Sequence, residues 1–174
     1  MVDKLAGLSI RAVDTPRRVA AVAALAREIW TEHYVPIIGP EQVRYMLDKI
    51  QSVDAMQRDL ESGSDYFDLC LDGKLVGYMC LKPNVGEHSV FISKIYIHSA
   101  ARGTGLGLRA LEFIFEYCRE RGARQLWLTV NKHNSDSIAW YQRQGFEITG
   151  ELVADIGGGY VMDDYRMERC LDPA

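Results

Sequence analysis

The sequence lacks the features that mark several classes of protein. None of its apolar runs approaches the roughly 20 residues that a membrane-spanning helix needs. The first residues lack the apolar segment of a secretion signal, and the chain contains no repeats or low-complexity tracts. With 174 residues, one hydrophobic core is enough for stability. We therefore expect a cytoplasmic chain with no membrane partner that forms a single domain over residues 1–174.

Patterns for metal binding and disulfide chemistry are also missing. The four cysteines, Cys70, Cys80, Cys118 and Cys170, form no Cys-x-x-Cys pair, and no histidine lies at zinc-ligand spacing from them. We expect reduced thiols and no metal.

The net charge of −4 gives no reason to expect nucleic acid as a partner, while the apolar fraction of 48% is ordinary for a globular protein.

The spacing of apolar residues predicts a mixed α/β domain. Strands are predicted at residues 8–13, 66–71, 74–81, 90–98, 125–130, 146–156 and 160–170. Helices are predicted at residues 53–60, 105–121 and 135–144, with one more from 16 to about 31 and another that starts near 41. Asp72-Gly73 is a strong signal for a two-residue hairpin turn. Because prolines at 36 and 40 interrupt an aromatic and apolar stretch, we expect an ordered loop at 30–40.

Three alternating glycines precede the helix predicted at 105–121. Gly103, Gly105 and Gly107 let the backbone turn tightly and approach a ligand, and the first N–H groups of a helix have no intrahelical partner. Such a turn favours phosphate, and Arg102 adds a charged donor. The dinucleotide pattern G-x-G-x-x-G fails at Leu108, and the lysine of a P-loop is missing.

The run Arg102-Gly103-Thr104-Gly105-Leu106-Gly107 resembles the pyrophosphate-binding motif of the GCN5-related N-acetyltransferase (GNAT) superfamily. A second signature of that family, an Asn, then a Tyr, then Gly-Phe, is similar to Asn134, Tyr141 and Gly145-Phe146. The resemblance implies a mixed, mostly antiparallel sheet of about seven strands flanked by helices, with a splayed strand pair that binds acetyl-CoA. It also implies an enzyme that acetylates a primary amine of a small molecule by direct attack.

The resemblance also implies which residues contact acetyl-CoA. The strand at 95–97 would pair with the pantetheine arm, the glycine loop would hold the pyrophosphate, and the 134–141 helix would lie near the thioester. The spacing of Asn134, Ser137 and Tyr141 agrees, because it places them on one helix face. We also expect the side chain of Asn134 to cap the start of that helix. The expected contacts are Ile95, Tyr96, Ile97, Arg102, Gly103, Thr104, Gly105, Leu106, Gly107, Asn134, Ser137 and Tyr141.

Thioester aminolysis needs a proton for the departing thiolate, donors for the oxyanion and a neutral amine. A phenol suits the first role, so we expect Tyr141 to be the general acid, and backbone N–H groups near Ile97 to be the oxyanion donors. Related enzymes often carry a glutamate on the central strand, in the region that Ser93 or its neighbours occupy in this chain. The general base therefore stays open. A water chain could end at Glu32, His33, Glu87 or His88.

The acceptor is the least determined part of the prediction. Trp30, Glu32 and Tyr34 can hold a cation by ring faces and charge, although Trp30 and Tyr34 can also simply anchor the chain. The segments 30–47 and 157–167 resemble bacterial enzymes related to polyamine acetyltransferases. Relatives that act on protein N-termini or antibiotics are alternatives, and dimers are common in the family.

Two other functions fit parts of the sequence. A non-catalytic acyl-CoA-binding module would keep the glycine loop but show no turnover. A nicotinamide dinucleotide-binding domain would also use such a loop, but Leu108 disfavours it.

Overall fold

A computed structural model describes residues 6–171, so both ends of the domain predicted at 1–174, residues 1–5 and 172–174, lie outside the described residues. The described elements follow the predicted order. They are β1 (Leu8–Ala12), α1 (Pro16–Ile38), α2 (Pro40–Lys49), α3 (Val53–Glu61), β2 (Asp65–Leu71), β3 (Lys74–Asn84), β4 (Ser89–Ile97), a 3₁₀ turn (Ser99–Ala101), α4 (Leu106–Glu120), β5 (Gln125–Asn131), α5 (Ser135–Arg143), β6 (Glu147–Gly157) and β7 (Tyr160–Cys170).

The seven strands form one sheet in the order β1-β2-β3-β4-β5-β7-β6. Every neighbouring pair is antiparallel except β4 and β5, which are parallel and joined through α4. The prediction of a mixed, mostly antiparallel sheet flanked by helices is therefore confirmed. Within residues 6–171, none of the helices combines the length and apolar character needed to cross a membrane.

Apolar side chains cover both faces of the sheet. On one face, α4 and α5 bury a cluster that includes Leu106, Leu111 and Ile114. On the other face, α1, α2 and α3 bury a second cluster that includes Val22, Met46 and Met56. Alternate side chains of the central strands therefore point into different helical layers, as the two-residue period of a strand requires. We call the second face the α1 face.

The turn between β2 and β3 confirms the hairpin prediction. Asp72 and Gly73 have φ values of 50° and 78°, so both residues adopt the left-handed conformation that a type I′ turn requires. The register then runs from Leu71 opposite Lys74 to Asp65 opposite Leu81, with one irregularity at Leu69/Cys70.

The prediction of a loop at 30–40 was wrong, because α1 continues to Ile38. Pro36 lies in the last turn of the helix, where few hydrogen bonds depend on it, and the Gly39 N–H closes the helix by bonding the Val35 carbonyl. Trp30 stacks on Tyr34, one turn further along, with ring centroids 4.3 Å apart. This contact is made only if the helix continues past residue 31, so it favours the longer helix.

Candidate active site

The parallel strands β4 and β5 separate part-way along their length. Their pairing covers only Ser89 to Ile92 on β4 and Gln125 to Leu128 on β5. A register irregularity follows, because Leu81 faces Ile92 and Cys80 faces Lys94, which leaves Ser93 between the two pairs. Beyond it, β4 pairs only with β3 among residues 6–171, so the backbone of its last residues can accept an extended ligand on the β5 side.

The amino end of α4 lies just beyond that end of β4. Gly105 is in the left-handed conformation (φ 92°) at the N-cap, and no side chain in the described part of the chain caps the helix. The first bond into the helix runs from the Arg109 N–H to the Gly105 carbonyl. The N–H groups of Leu106, Gly107 and Leu108 therefore have no intrahelical partner, and the helix dipole adds positive potential to them. This arrangement suits a phosphate.

Gly107 permits close packing at the same helix end. A Cβ there would lie 3.3 Å from Cζ2 of Trp140 and 3.7 Å from Cδ1 of Ile97. The indole of Trp140 on α5 thus packs directly against the first turn of α4, and a larger residue at 107 would require that indole to shift. The glycine loop and α5 are therefore positioned as one unit.

Arg102 reaches towards the end of β4. Its Nε donates to the Ile97 carbonyl at 3.0 Å, and its Nη1 lies 3.4 Å from Nδ1 of His33 on α1. Burial and the positive charge of Arg102 together lower the pKa of His33, so its imidazole is neutral at pH 7. The hydroxyl of Thr104 donates to the Ala101 carbonyl at 2.8 Å and fixes the loop.

Two of the predicted acetyl-CoA contacts, Asn134 and Ser137, lie at the start of α5. Asn134 occupies the predicted N-cap position, but its side chain makes no capping bond; it is 4% exposed and lies against His33 and Tyr34. The expectation that it caps α5 by its side chain was wrong, because the side chain turns towards α1 instead. Ser137 lies one turn later and is partly exposed.

Tyr141 is buried, with 8% of its surface exposed, and packs edge-on against Trp140 and Phe146. Burial raises the pKa of its phenol, and Tyr34 raises it further. The hydroxyl therefore stays protonated throughout the neutral range and is a proton donor in that range.

An aromatic cluster on the α1 face adjoins the same strand end. Tyr96 on β4 meets Trp30 at 5.4 Å, Tyr78 at 5.3 Å and Tyr34 at 6.2 Å between ring centroids. Trp30 is 3% exposed, so its ring supports Tyr34 rather than forming an open surface. Burial raises the pKa of Tyr34 to about 12. Tyr34 keeps its proton and presents a neutral hydroxyl.

The four residues considered for the general base lie in two places. Glu87 and His88 form the turn before β4, a full strand length of roughly 25 Å from its open end. The structure therefore separates them from Tyr141 and rules out their part in the proposed water chain. Glu32 and His33 lie on α1 near the open end, where Glu32 accepts a hydrogen bond of 2.8 Å from Ser99.

Sequence reasoning missed one acidic residue of this region. Asp164 on β7 is 4% exposed and faces Asn131 across the β5–β7 pair. It lies near enough to Tyr34 for its charge to raise that phenol's pKa. The signal in the sequence is weak, because Asp163 and Asp164 are adjacent on a strand and only the three-dimensional structure tells which of them faces the site.

The family follows from comparison with known proteins. Residues 22–146 match the model of the acetyltransferase (GNAT) family. This chain is a member of the GNAT family. It is therefore an N-acetyltransferase by family, and the splayed strands and glycine loop described above lie within the matched range.

Individual relatives agree with that assignment. The GNAT chain is 28% identical to an uncharacterized N-acetyltransferase of Lactobacillus delbrueckii subsp. lactis, over 77% of this chain and 82% of that protein. It is 29% identical to the L-methionine sulfoximine/L-methionine sulfone acetyltransferase of Pseudomonas aeruginosa, over 58% of this chain and 61% of that protein. The crystal structure of a PaiA N-acetyltransferase from Thermoplasma acidophilum in complex with coenzyme A shares its fold, with a TM-score of 0.75 and 19% identity over 94% of this chain and 99% of that one.

Proposed function

We propose that this enzyme transfers the acetyl group of acetyl-CoA to a primary amine of a small molecule. The observation that carries the proposal is that two backbone surfaces meet at one point. The end of β4 lacks a partner on its β5 side, and the free N–H groups of Leu106, Gly107 and Leu108 begin α4 next to it. The first surface matches the amides of a pantetheine arm, and the second matches a diphosphate.

The residues that would hold acetyl-CoA are those of the sequence prediction. Ile95, Tyr96 and Ile97 offer the open strand edge, the loop 102–107 offers backbone donors, and α5 closes the third side. When bound, acetyl-CoA supplies an activated acyl group as a thioester. Arg102 lies at the junction of loop and strand, where its guanidinium adds positive charge.

Tyr141 is the proposed general acid, which gives its proton to the departing thiolate. Its buried hydroxyl is protonated at neutral pH, as the role requires. Replacing Tyr141 by Phe should lower kcat by about 10²-fold while the Kd for coenzyme A changes little, because the backbone surfaces remain. The matched control is Tyr117→Phe, since Tyr117 is also buried on this side of the sheet but bonds Asp65 near the far end of α4. If Tyr141→Phe instead abolishes coenzyme A binding, Tyr141 is structural.

The acceptor approaches from the α1 face. Tyr34 and Glu32 on α1, supported by Trp30, offer an aromatic ring face and a negative charge to a cationic amine. The Pseudomonas aeruginosa relative is named for L-methionine sulfoximine and L-methionine sulfone, which are small molecules, and this supports a small-molecule acceptor over a protein. A polyamine as that acceptor rests on the sequence resemblance alone. A cytoplasmic location and a homodimer remain sequence predictions, and light scattering on the purified protein tests the second.

The experiment that tests the proposal is an acetyl-transfer screen. The purified enzyme and acetyl-CoA are incubated with spermidine, lysine, L-methionine sulfoximine, an aminoglycoside and an alanine-terminated peptide, and free thiol is measured. Turnover of a small amine supports the proposal. Turnover of the peptide alone would move the function to protein N-termini. Thermal stabilisation by coenzyme A with no turnover of any amine would instead favour the non-catalytic module.

A further inference from the structure

Asp164 differs from the other buried charges in the described part of the chain. Buried Asp68 pairs with Arg11 at 3.1 Å, and buried Lys94 pairs with Asp59 at 2.9 Å. Asp164 is as deeply buried, at 4% exposure, but takes part in none of the ion pairs found among residues 6–171. A buried carboxylate without a counterion lowers stability, and such groups concentrate at functional sites.

The neighbouring Asp163 on the same strand does have an ion-pair partner, so the lack of one is specific to Asp164. Asp163 points to the opposite face, where Lys132 lies 2.6 Å from its carboxylate and also binds Glu151. The alternation of β7 places Asp164 on the same face as Met162, which belongs to the α1-side cluster. Lys132 is therefore held by Asp163 on the other side of the sheet.

Asp164 also lies at the end of the sheet where β4 and β5 separate. It faces Asn131, the last residue of β5, in the part of that strand that no longer pairs with β4. Asn134, three residues beyond, is buried against Tyr34, and Tyr34 in turn influences both Tyr96 and Tyr141. The carboxylate of Asp164 thus adjoins the group of side chains that faces the open strand end from the α1 face.

We propose that Asp164 receives the protonated amine of the acceptor and acts as its general base. This inference rests on the proposed function and assigns the general base, which the proposed function leaves open. The acceptor ammonium loses one proton to the Asp164 carboxylate, so an N–H bond breaks, an O–H bond forms, and the electron pair stays on nitrogen. That pair then forms the bond to the acetyl carbon as the carbon–sulfur bond breaks. The thiolate takes the proton of Tyr141, which is replaced by the second proton that the nitrogen loses. Asp164 finally releases its proton to water.

The surroundings of Asp164 raise the pKa of its carboxyl group. Burial raises its pKa above the ordinary value, and the negative charge of Asp163 acts in the same direction, while Thr129 and Lys132 partly offset them. From α1, Tyr34 is the titratable group that faces it, and Tyr34 is uncharged below pH 10. A carboxylate with a raised pKa is a stronger base than an exposed aspartate.

The test compares Asp164→Asn with Asp163→Asn, an adjacent change of the same chemistry on the opposite face. For the best acceptor of the screen, Asp164→Asn should lower kcat/KM by about 10²-fold or more, and the residual activity should lose the acid limb of the wild-type pH profile. The Kd for acetyl-CoA should stay within about twofold, and Asp164→Glu should recover part of the activity. Asp163→Asn removes only a secondary influence on the pKa of Asp164, so it should lower kcat/KM far less than Asp164→Asn does.

A second measurement keeps the inference testable without turnover. With coenzyme A present, spermidine should raise the Tm of the wild type and of Asp163→Asn, but not that of Asp164→Asn, whose own Tm should equal or exceed that of the wild type because an unpaired buried charge is gone. Any one of three results would overturn the inference. The first is that Asp164→Asn keeps the wild-type kcat/KM and pH profile. The others are that spermidine raises the Tm of all three proteins equally, or that Asp164→Asn has a lower Tm than the wild type. Failure of the wild type to acetylate any amine would instead refute the proposed function.

Discussion

Asp59 on α3 forms ion pairs with two lysines. Its replacement by Asn should therefore lower the free energy of unfolding by an amount that depends on pH. Its carboxylate lies 2.9 Å from both Lys82 and Lys94 and accepts a hydrogen bond of 2.8 Å from Tyr66. Lys94 is only 3% exposed and lies on β4, directly before the strand end that faces the candidate cofactor site. Asp59→Asn leaves that lysine charged and unpaired in the core, which costs about 3–5 kcal/mol at pH 7.

The pH dependence follows from the pKa of Asp59. Burial alone would raise this pKa, but the charges and hydrogen bonds of Lys94 and Lys82 lower it from 3.8 to about 2. Because the folded-state pKa is the lower one, the stabilisation is complete above the unfolded value near 3.8 and is lost as the pH falls towards 2. The part that depends on pH amounts to about 2 kcal/mol.

Urea denaturation at several pH values between 2 and 7 measures both quantities. The difference in unfolding free energy between wild type and Asp59→Asn should be largest at pH 7 and shrink by about 2 kcal/mol towards pH 2. Glu61→Gln is the control, because Glu61 is exposed on the same helix and should change stability by less than about 0.5 kcal/mol. A difference that is small at pH 7, or one that does not vary with pH, would refute the reasoning.

Two further substitutions test the fold and the site. Ile114→Ala removes a fully buried side chain of α4 and should cost about 2–5 kcal/mol in urea denaturation; a loss below about 1 kcal/mol would contradict its place in the core. Gly107→Ala places a Cβ against Trp140 and should weaken coenzyme A binding severalfold in calorimetry, while Gly150→Ala, where a Cβ meets nothing within 4 Å, should leave the affinity unchanged. Equal affinities of the two glycine variants would show that the close packing at 107 does not matter for the cofactor.

The features that could be predicted from the sequence are those set by short-range physics. The Asp72-Gly73 turn needs positive φ at both positions, and these two residues tolerate it. The order of strands and helices followed from apolar spacing, and the glycines before α4 indicated a helix end free of side chains. Each of these signals lies within a few residues of the feature that it predicts.

The features that could not be predicted depend on contacts between distant segments. Pro36 suggested a break in the chain, but the stacking of Trp30 on Tyr34 and their packing against Tyr96 favour a helix through that point. The two aspartates of β7 look alike in sequence, yet Lys132 neutralises only Asp163. The separation of Glu87 and His88 from the open end of β4 likewise appears only once the strand is placed in the sheet.

The most direct test of the account is a comparison of coenzyme A with NAD as ligands of the folded protein. Both carry an adenine nucleotide and a diphosphate, but only coenzyme A has the pantetheine arm that the open edge of β4 would bind. Thermal denaturation should show saturable stabilisation by coenzyme A, of about 3 kcal/mol at 100 times its Kd, and none by NAD at the same concentration. If millimolar coenzyme A leaves the Tm unchanged, or NAD raises it equally, the proposed role of β4 and α4 is wrong.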